Sequence, residues 1–385
     1  MPPVAPDGSG DAMPVFEQGL AHYREGNLEP AEIAFRSALE LKHDLAEAHF
    51  FLGLIHKKRG ELEDAADHML MATAFKADFT DAWFQLGAID LVRRNFAAAR
   101  TSLDTALRLN PRHVEAHSTY AGVREQQKRF AAAIAHWKVV VEADPGNAHA
   151  YCKLCRLTLR ESQDDELAMN YARRALELQP GLAEAHSCLA QILQFQGRCE
   201  DAIEACNIAL QLDPGAYHTR MIRALALLSI GRFEAGWQDY EMRKRVYPLF
   251  AVRKHPYPEW DGSSLAGTRL LVYCEQGLGD EIMFASCVPD VLRAGADCIL
   301  ECSRRLAPIF SRSFPAATVV VADQTSPDLA YLEGLPKCDF QVAAGSLPRF
   351  FAGGSMIFPG GPATCRRIRM RGRVGVRGCG VWAMD

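Results

Sequence analysis

The run Glu275-Gln276-Gly277-Leu278-Gly279-Asp280-Glu281 is where this 385-residue chain gathers residues able to do chemistry: three carboxylates around two glycines that let the backbone turn sharply. A glycine pair of this kind invites a dinucleotide reading, in which bare amides at a helix N-terminus receive a pyrophosphate. That reading fails. The third glycine of G-x-G-x-x-G falls on Ile282, no matching ribose-binding acid follows, and Asp280 and Glu281 put negative charge where the anion would sit. Read as structure, Asp280 caps the helix that follows, its carboxylate held ionised by the positive helix end and therefore a weak base. Two cysteine pairs are the other candidates. Cys152 and Cys155 form a C-x-x-C inside a helical pattern, and Cys298 and Cys302 lie in a strand-like run; both pairs read as small buried hydrophobes, with no metal site implied. The twelve cysteines are scattered and no export signal is evident in a chain of net charge -4, so the thiols are expected to be reduced and the protein cytoplasmic.

The elements that must position the glycine turn follow from hydrophobic patterning. A short apolar run at 269–274 reads as a strand, and Ile282-Met283-Phe284-Ala285 opens a helical pattern that reaches Arg293. Strands at 298–302, 318–322 and 339–342, with a helix at 306–314, continue an α/β order that implies a parallel, doubly wound sheet. Ahead of it, residues 249–267 form a linker rich in helix breakers, whose Tyr257 and Trp260 are placed to pack the preceding region against the sheet.

Residues 12–248 repeat one pattern about every 34 residues. The units beginning at Thr80 and Val114 superpose without a gap, pairing Gly87 with Ala121, Phe96 with Phe130, Ala99 with Ala133 and Pro111 with Pro145. Small residues recur where two helices must approach closely: Gly19, Gly53, Gly87, Ala121, Cys155, Ala190 and Ala224 on the first helix, and Ala31, Ala65, Ala99, Ala133, Ala168, Ala202 and Gly236 on the second. A third small site becomes Arg243 in the last unit, a charge that no further repeat would cover, so the array is expected to end there. One extra residue within 162–167 fits the turn between two helices. This period, built from amphipathic helix pairs, resembles the tetratricopeptide repeat (TPR), giving an α-solenoid of about seven helix pairs.

The context Trp260-Asp261-Gly262, Gly277-Leu278-Gly279-Asp280, Phe284-Ala285 and Ser346-Leu347-Pro348-Arg349-Phe350, with Gly236-Trp237-x-x-Tyr240-Glu241-x-Arg243 before it, resembles bacterial proteins in which TPR arrays precede a domain similar to family 9 glycosyltransferases, the heptosyltransferase relatives. The resemblance implies that residues 268–358 are the Rossmann-like, acceptor-side half of a GT-B fold. It also implies that Gln276, Gly277 and Gly279 form the acceptor loop and that Asp280 is the candidate base of an inverting transfer. The donor half of such a fold has no counterpart in residues 359–385, an irregular Arg- and Gly-rich tail, as residues 1–11 are a loose N-terminal one. The expected function is a TPR interaction module fused to a truncated, inactive glycosyltransferase-like domain, with an active transferase as the alternative. No cofactor is implied, and a nucleotide sugar is a partner only if a donor domain is supplied. TPR likeness places a partner groove on the first helices at Phe50, Phe51, Phe84, Gln85 and Lys153, mixed in chemistry and suited to a protein or a mainly apolar peptide. The composition points to neither a membrane span nor nucleic acid.

Overall fold

The computed structural model describes residues 11–246, 255–275, 277–322, 329 and 332–351. The expectations for residues 1–10, 249–254, Gln276 and 359–385 lie outside the described residues. Two compact units divide the chain, one up to Leu178 and one from Gln179.

The first unit is five helix pairs: α1 (Ala12–Arg24) and α2 (Leu28–Leu41), α3 (Ala46–Arg59) and α4 (Leu62–Phe75), α5 (Thr80–Val92) and α6 (Phe96–Leu109), α7 (Val114–Gln126) and α8 (Phe130–Ala143), α9 (Ala148–Glu161) and α10 (Asp165–Leu178). Close approach within each pair depends on the small residues. A Cβ on Gly19 would lie 2.7 Å from the Phe35 ring, and one on Gly87 would lie 2.7 Å from Leu103. Ala31, Ala65, Ala99, Ala133 and Ala168 have no exposed surface. The turn inside each pair needs one left-handed residue, supplied by Gly26 and Gly60 and then, against steric preference, by Arg94, Lys128 and Gln163. The turn holding Gln163 is no longer than those holding Arg94 and Lys128; the extra residue expected there instead lengthens α9 to 14 residues, against 13 in α5 and α7.

The second unit begins with two further pairs, α11 (Ala183–Phe195) with α12 (Cys199–Leu212) and α13 (Tyr217–Ser229) with α14 (Phe233–Tyr240), and then the short α15 (Arg243–Val246). The mixed region follows: β1 (Arg269–Tyr273), α16 (Leu278–Ala285), α17 (Val288–Arg293), β2 (Asp297–Cys302), α18 (Ala307–Ser313), β3 (Thr318–Val321), β4 (Phe340–Ala343), a 3-10 turn at Ala344–Ser346 and α19 (Leu347–Phe351). The four strands are all parallel in the order β3-β2-β1-β4, with Leu271 of β1 opposite Ile299 on one side and Gln341 on the other. β1 and β2 are buried along nearly their whole length, which is why they read as continuous apolar runs instead of alternating ones.

One further expectation is corrected. The helix after β1 opens at Leu278, not Ile282, so its N-cap is Gly277 and Asp280 is its third residue. Of the aromatics of 249–267, Trp260 lies 4.4 Å from the Phe350 ring and 5.7 Å from Phe351, in the core cluster that also holds Trp237 of the last helix pair, and Tyr257 rests on the cluster of Leu271 and Ile299. Glu259 forms a parallel bridge with Gln341, and the Trp260 N–H donates to the Gln341 carbonyl at 2.7 Å. The last helix pair meets the sheet region through Trp237 and Tyr240 of α14, whose rings lie 6.1 and 6.2 Å from Phe284 of α16. Among the described residues, no helix is long and apolar enough to cross a membrane.

Candidate functional site

In a parallel sheet ordered β3-β2-β1-β4, the chain leaves β1 toward β2 on one side and enters β4 on the other, and ligands of such sheets bind in the crevice this opens at the carboxyl ends of the strands. Cys274 and Glu275 follow β1 there, and Ala344, Gly345 and Ser346 follow β4. Cys274, Glu275, Ala344 and Gly345, with Glu281 and Phe284 of α16, line about 150 Å³ of space between atoms, none of it wide enough for a water molecule.

What closes the crevice is Arg243, the residue expected to stand uncovered at the end of the array. It is only 3% exposed. Its Nε and Nη2 donate to Glu275 Oε1 at 2.8 and 2.5 Å, Nη2 also donates to Ser346 Oγ at 2.9 Å, and Nη1 donates to Glu241 at 2.7 Å. A buried guanidinium requires such partners, because desolvation without them costs several kcal/mol. Gly345 is obligatory beside it: a Cβ there would fall 2.7 Å from Glu275 Oε1 and 3.0 Å from Arg243 Nε. One guanidinium serves two carboxylates, and they respond differently. Burial pushes the Glu275 carboxyl up despite Arg243. Burial also opposes ionisation of Glu241, but the charges of Arg243 and Lys244 outweigh it and hold that carboxyl below its usual range.

Asp280 stands half-buried at the rim, its carboxylate accepting from the Gly277 N–H across the first turn of α16. The helix end does not dominate it: burial raises its carboxyl above the usual range and the Gly277 hydrogen bond only partly opposes this. The adjacent Glu281 is 2% exposed and accepts from the Ser303 N–H at 2.9 Å, tying α16 to the end of β2. Gly277 and Gly279 thus shape the turn, while Gln276 lies outside the described residues. All ten described cysteines are buried and unbridged, and burial pushes the thiols of Cys206, Cys287, Cys298 and Cys302 up to about 12. Such thiols stay protonated at neutral pH and are poor nucleophiles.

The five groove residues sit on first helices of their pairs. Phe51 stacks on Phe35 at 5.4 Å and meets Tyr23 edge-on at 5.3 Å, and like Phe50 and Phe84 it is half-buried. Phe50 packs on Phe79 at 4.8 Å and Phe84 on His113 at 5.1 Å. Gln85 Oε1 accepts from Lys57 Nζ at 2.7 Å, and Lys153 is half-buried on α9.

Sequence reasoning missed a recurring bond. The fourth residue of a first helix reaches back to the carbonyl six positions earlier: His49 to His43 at 3.2 Å, Trp83 to Ala77 at 2.9 Å, His117 to Pro111 at 3.0 Å, His186 to Pro180 at 2.9 Å and Arg220 to Pro214 at 3.2 Å. Its signal in the sequence is a side-chain N–H at that position in place of one residue type.

With this geometry in view, the tetratricopeptide repeat family matches residues 16–78, 84–148 and 188–241. The helix pairs within these three stretches are tetratricopeptide repeats. Protein FlbA of Caulobacter vibrioides is 31% identical over 249 residues, covering 61% of this chain and 41% of FlbA, so the chain spans about two fifths of that relative's length. PilF of Pseudomonas aeruginosa superposes with a TM-score of 0.50 at 18% identity, over 56% of this chain and 97% of PilF, a likeness of fold alone. A tetratricopeptide repeat protein of Parabacteroides merdae covers 62% of the chain and 93% of its own length at 14% identity, with a TM-score of 0.46.

Proposed function

We propose that this chain is a cytoplasmic protein-interaction module, in which the first helices of the repeats bind a protein or peptide and the α/β region is the acceptor-side half of a GT-B, glycosyltransferase-like fold that performs no transfer. The observation that carries the reading is the crevice between β1 and β4: Arg243 and its carboxylate partners fill the place where a substrate would enter. The half-buried face bearing Phe50, Phe84, Gln85 and Lys153 is the complementary support, since it offers apolar surface beside a few polar anchors, as peptide grooves do. Phe51, half-buried beside Phe50, adds to the apolar part of this face. The test is a photo-crosslinking amino acid placed at Gln85, at Lys153 and, as a control, at the outward-facing Arg100 of α6, whose side chain is 76% exposed. The reading expects partner adducts at the first two positions and none at the third. Equal labelling at all three would reject the groove.

One observation favours the alternative, an inverting glycosyltransferase. Asp280 combines a position at the carboxyl end of β1 with a carboxyl raised by burial, the direction a general base needs. Incubation with a panel of labelled nucleotide sugars and acceptor glycans separates the two. Turnover that disappears in Asp280→Asn would establish the enzyme and overturn the non-catalytic reading.

A further inference from the structure

Two histidine pairs recur in the repeats with the same geometry. His49 of α3 faces His68 of α4 with Nδ1 atoms 3.1 Å apart, and His117 of α7 faces His136 of α8 with Nδ1 atoms 2.9 Å apart. In each pair the first-helix ring is fixed from behind. The carbonyls of His43 and Pro111 can only accept, so Nε2 of His49 and of His117 carries the proton and Nδ1 presents a lone pair to the partner ring. An imidazole that donates one N–H to a backbone carbonyl while aiming its other nitrogen at a common point is the outer-shell arrangement of metal-ligating histidines.

The spacing fits as well. Two nitrogens bound at about 2.0–2.1 Å to one ion, at angles of roughly 90–100°, lie about 2.9–3.1 Å apart. The second-helix rings are also held. His68 stacks on His56 with ring centres 5.3 Å apart and planes 12° apart, and His136 stacks on Tyr120 at 5.2 Å and 8°. Both are half-buried and so reachable from solvent. Nor does the repeat require histidine at these two places: the third repeat carries Trp83 and Ser102, and the fifth carries Tyr151 and Tyr171.

We propose that the second and fourth repeats each bind one divalent transition-metal ion of the nickel or zinc class, clamped between His49 and His68 and between His117 and His136. The ion takes the place of the proton shared between the two Nδ1 atoms of each pair; that proton moves through solvent to Nε2 of His68 or His136, so both rings stay neutral ligands, and water completes the coordination. Imidazole pairs suit this class of ion and not magnesium or calcium, which take oxygen ligands. Each ion bridges the two helices of one repeat, so binding also stabilises the repeat.

The test is calorimetry of the full chain with Ni²⁺ in a non-chelating buffer. Two sites per chain are expected, falling to one in His68→Ser and to none in His68→Ser/His136→Ser. Serine is the residue the third repeat carries at this place, and circular dichroism verifies that each variant is folded. A Ni²⁺-induced rise in melting temperature is expected for the native chain and not for the double variant. His56, Glu61 and Asp64, whose ligand atoms lie within 4.8 Å of one another, form a competing cluster. Loss of a site in Glu61→Gln/Asp64→Asn would move the ion there and overturn the assignment, as would two sites that persist in the double histidine variant or an absence of binding. With Co²⁺ as a second probe, an intense thiolate charge-transfer band would assign the ions to cysteine and reject the histidine clamps.

Discussion

In the repeats up to Leu178 the interior is closed by small residues set against large ones within one helix pair, Gly19 against Phe35 and Gly87 against Leu103, and the one carboxylate buried among their described residues, Asp90, is answered three residues along the chain by Arg93, the C-cap of α5, at 3.3 Å. Around the sheet the interior is closed by charges that are distant in sequence. Arg243 finds Glu275 at a separation of 32 residues and Ser346 at 103. The first arrangement is a sum of nearly independent local fits, as expected for a solenoid in which each repeat touches only its neighbours. The second is a network in which each member is tolerable only because the others are present. Damage should therefore stay local in the repeats and spread around the sheet.

The largest effect should come from Arg243→Met, which leaves Glu275 buried beside an apolar side chain. Removing one partner of a buried pair costs on the order of 3–5 kcal/mol. Urea unfolding followed by Trp fluorescence should show the loss, and Arg243→Met/Glu275→Leu should recover much of it by replacing both charges with packing. A single variant that unfolds like the native chain would mean the network contributes nothing.

Next is Gly87→Ala, whose Cβ meets Leu103 at 2.7 Å and the Ala99 carbonyl at 3.1 Å. The helix gains in propensity but is overpacked, for a net loss of about 1–3 kcal/mol. Hydrogen exchange should show the loss concentrated in α5 and α6, and uniform weakening of the whole first unit would break the local picture.

A gain of up to about 1 kcal/mol is expected for Arg94→Gly or Lys128→Gly, because the left-handed conformation penalises a Cβ more than glycine's added freedom in the unfolded chain costs. Gly60→Ala, at the equivalent turn with φ +82°, should lose a similar amount. Thermal melts of the three variants read both signs, and the same sign in all three would contradict the turn geometry.

The smallest effect concerns Asp280. Burial raises its carboxyl in the folded state, so ionisation costs the folded chain more than the unfolded one. This contribution is favourable below the ordinary carboxylate value of about 3.9 and is lost as pH rises through the folded value. Asp280→Asn keeps an oxygen for the Gly277 N–H and removes the titration, so its stability relative to the native chain should improve from acid to neutral pH. A relative decline over that range would show that the ionised carboxylate stabilises the fold.

The repeats were legible because a helix pair declares itself locally. Ala99 and Ala133, placed as contact residues by periodicity alone, are both fully buried, and the strands at 269–274 and 298–302 differ from those observed by a residue at one end. The site was far less legible. Asp280 was found from its glycines, yet its place as the third residue of α16 depends on where that helix starts, and the direction of its titration depends on burial. Arg243 looked like a terminus because, within the 34-residue pattern, a charge at a small-residue position has no partner. The histidine pairs escaped notice because their members lie 19 residues apart on different helices, a separation at which sequence carries no direct sign of contact.

From the sequence by itself came the repeat length, the small-residue contacts, the parallel order of the strand-forming runs and the glycine turn before Asp280, because each depends on residues a turn or a helix pair apart. Only the tertiary structure decided that Arg243 fills the crevice beside β1, that Gly345 is obligatory there, and that Asp280 is pushed toward its protonated form. Those outcomes depend on desolvation and on charges brought together from distant parts of the chain, and both arise only once the chain has closed around them.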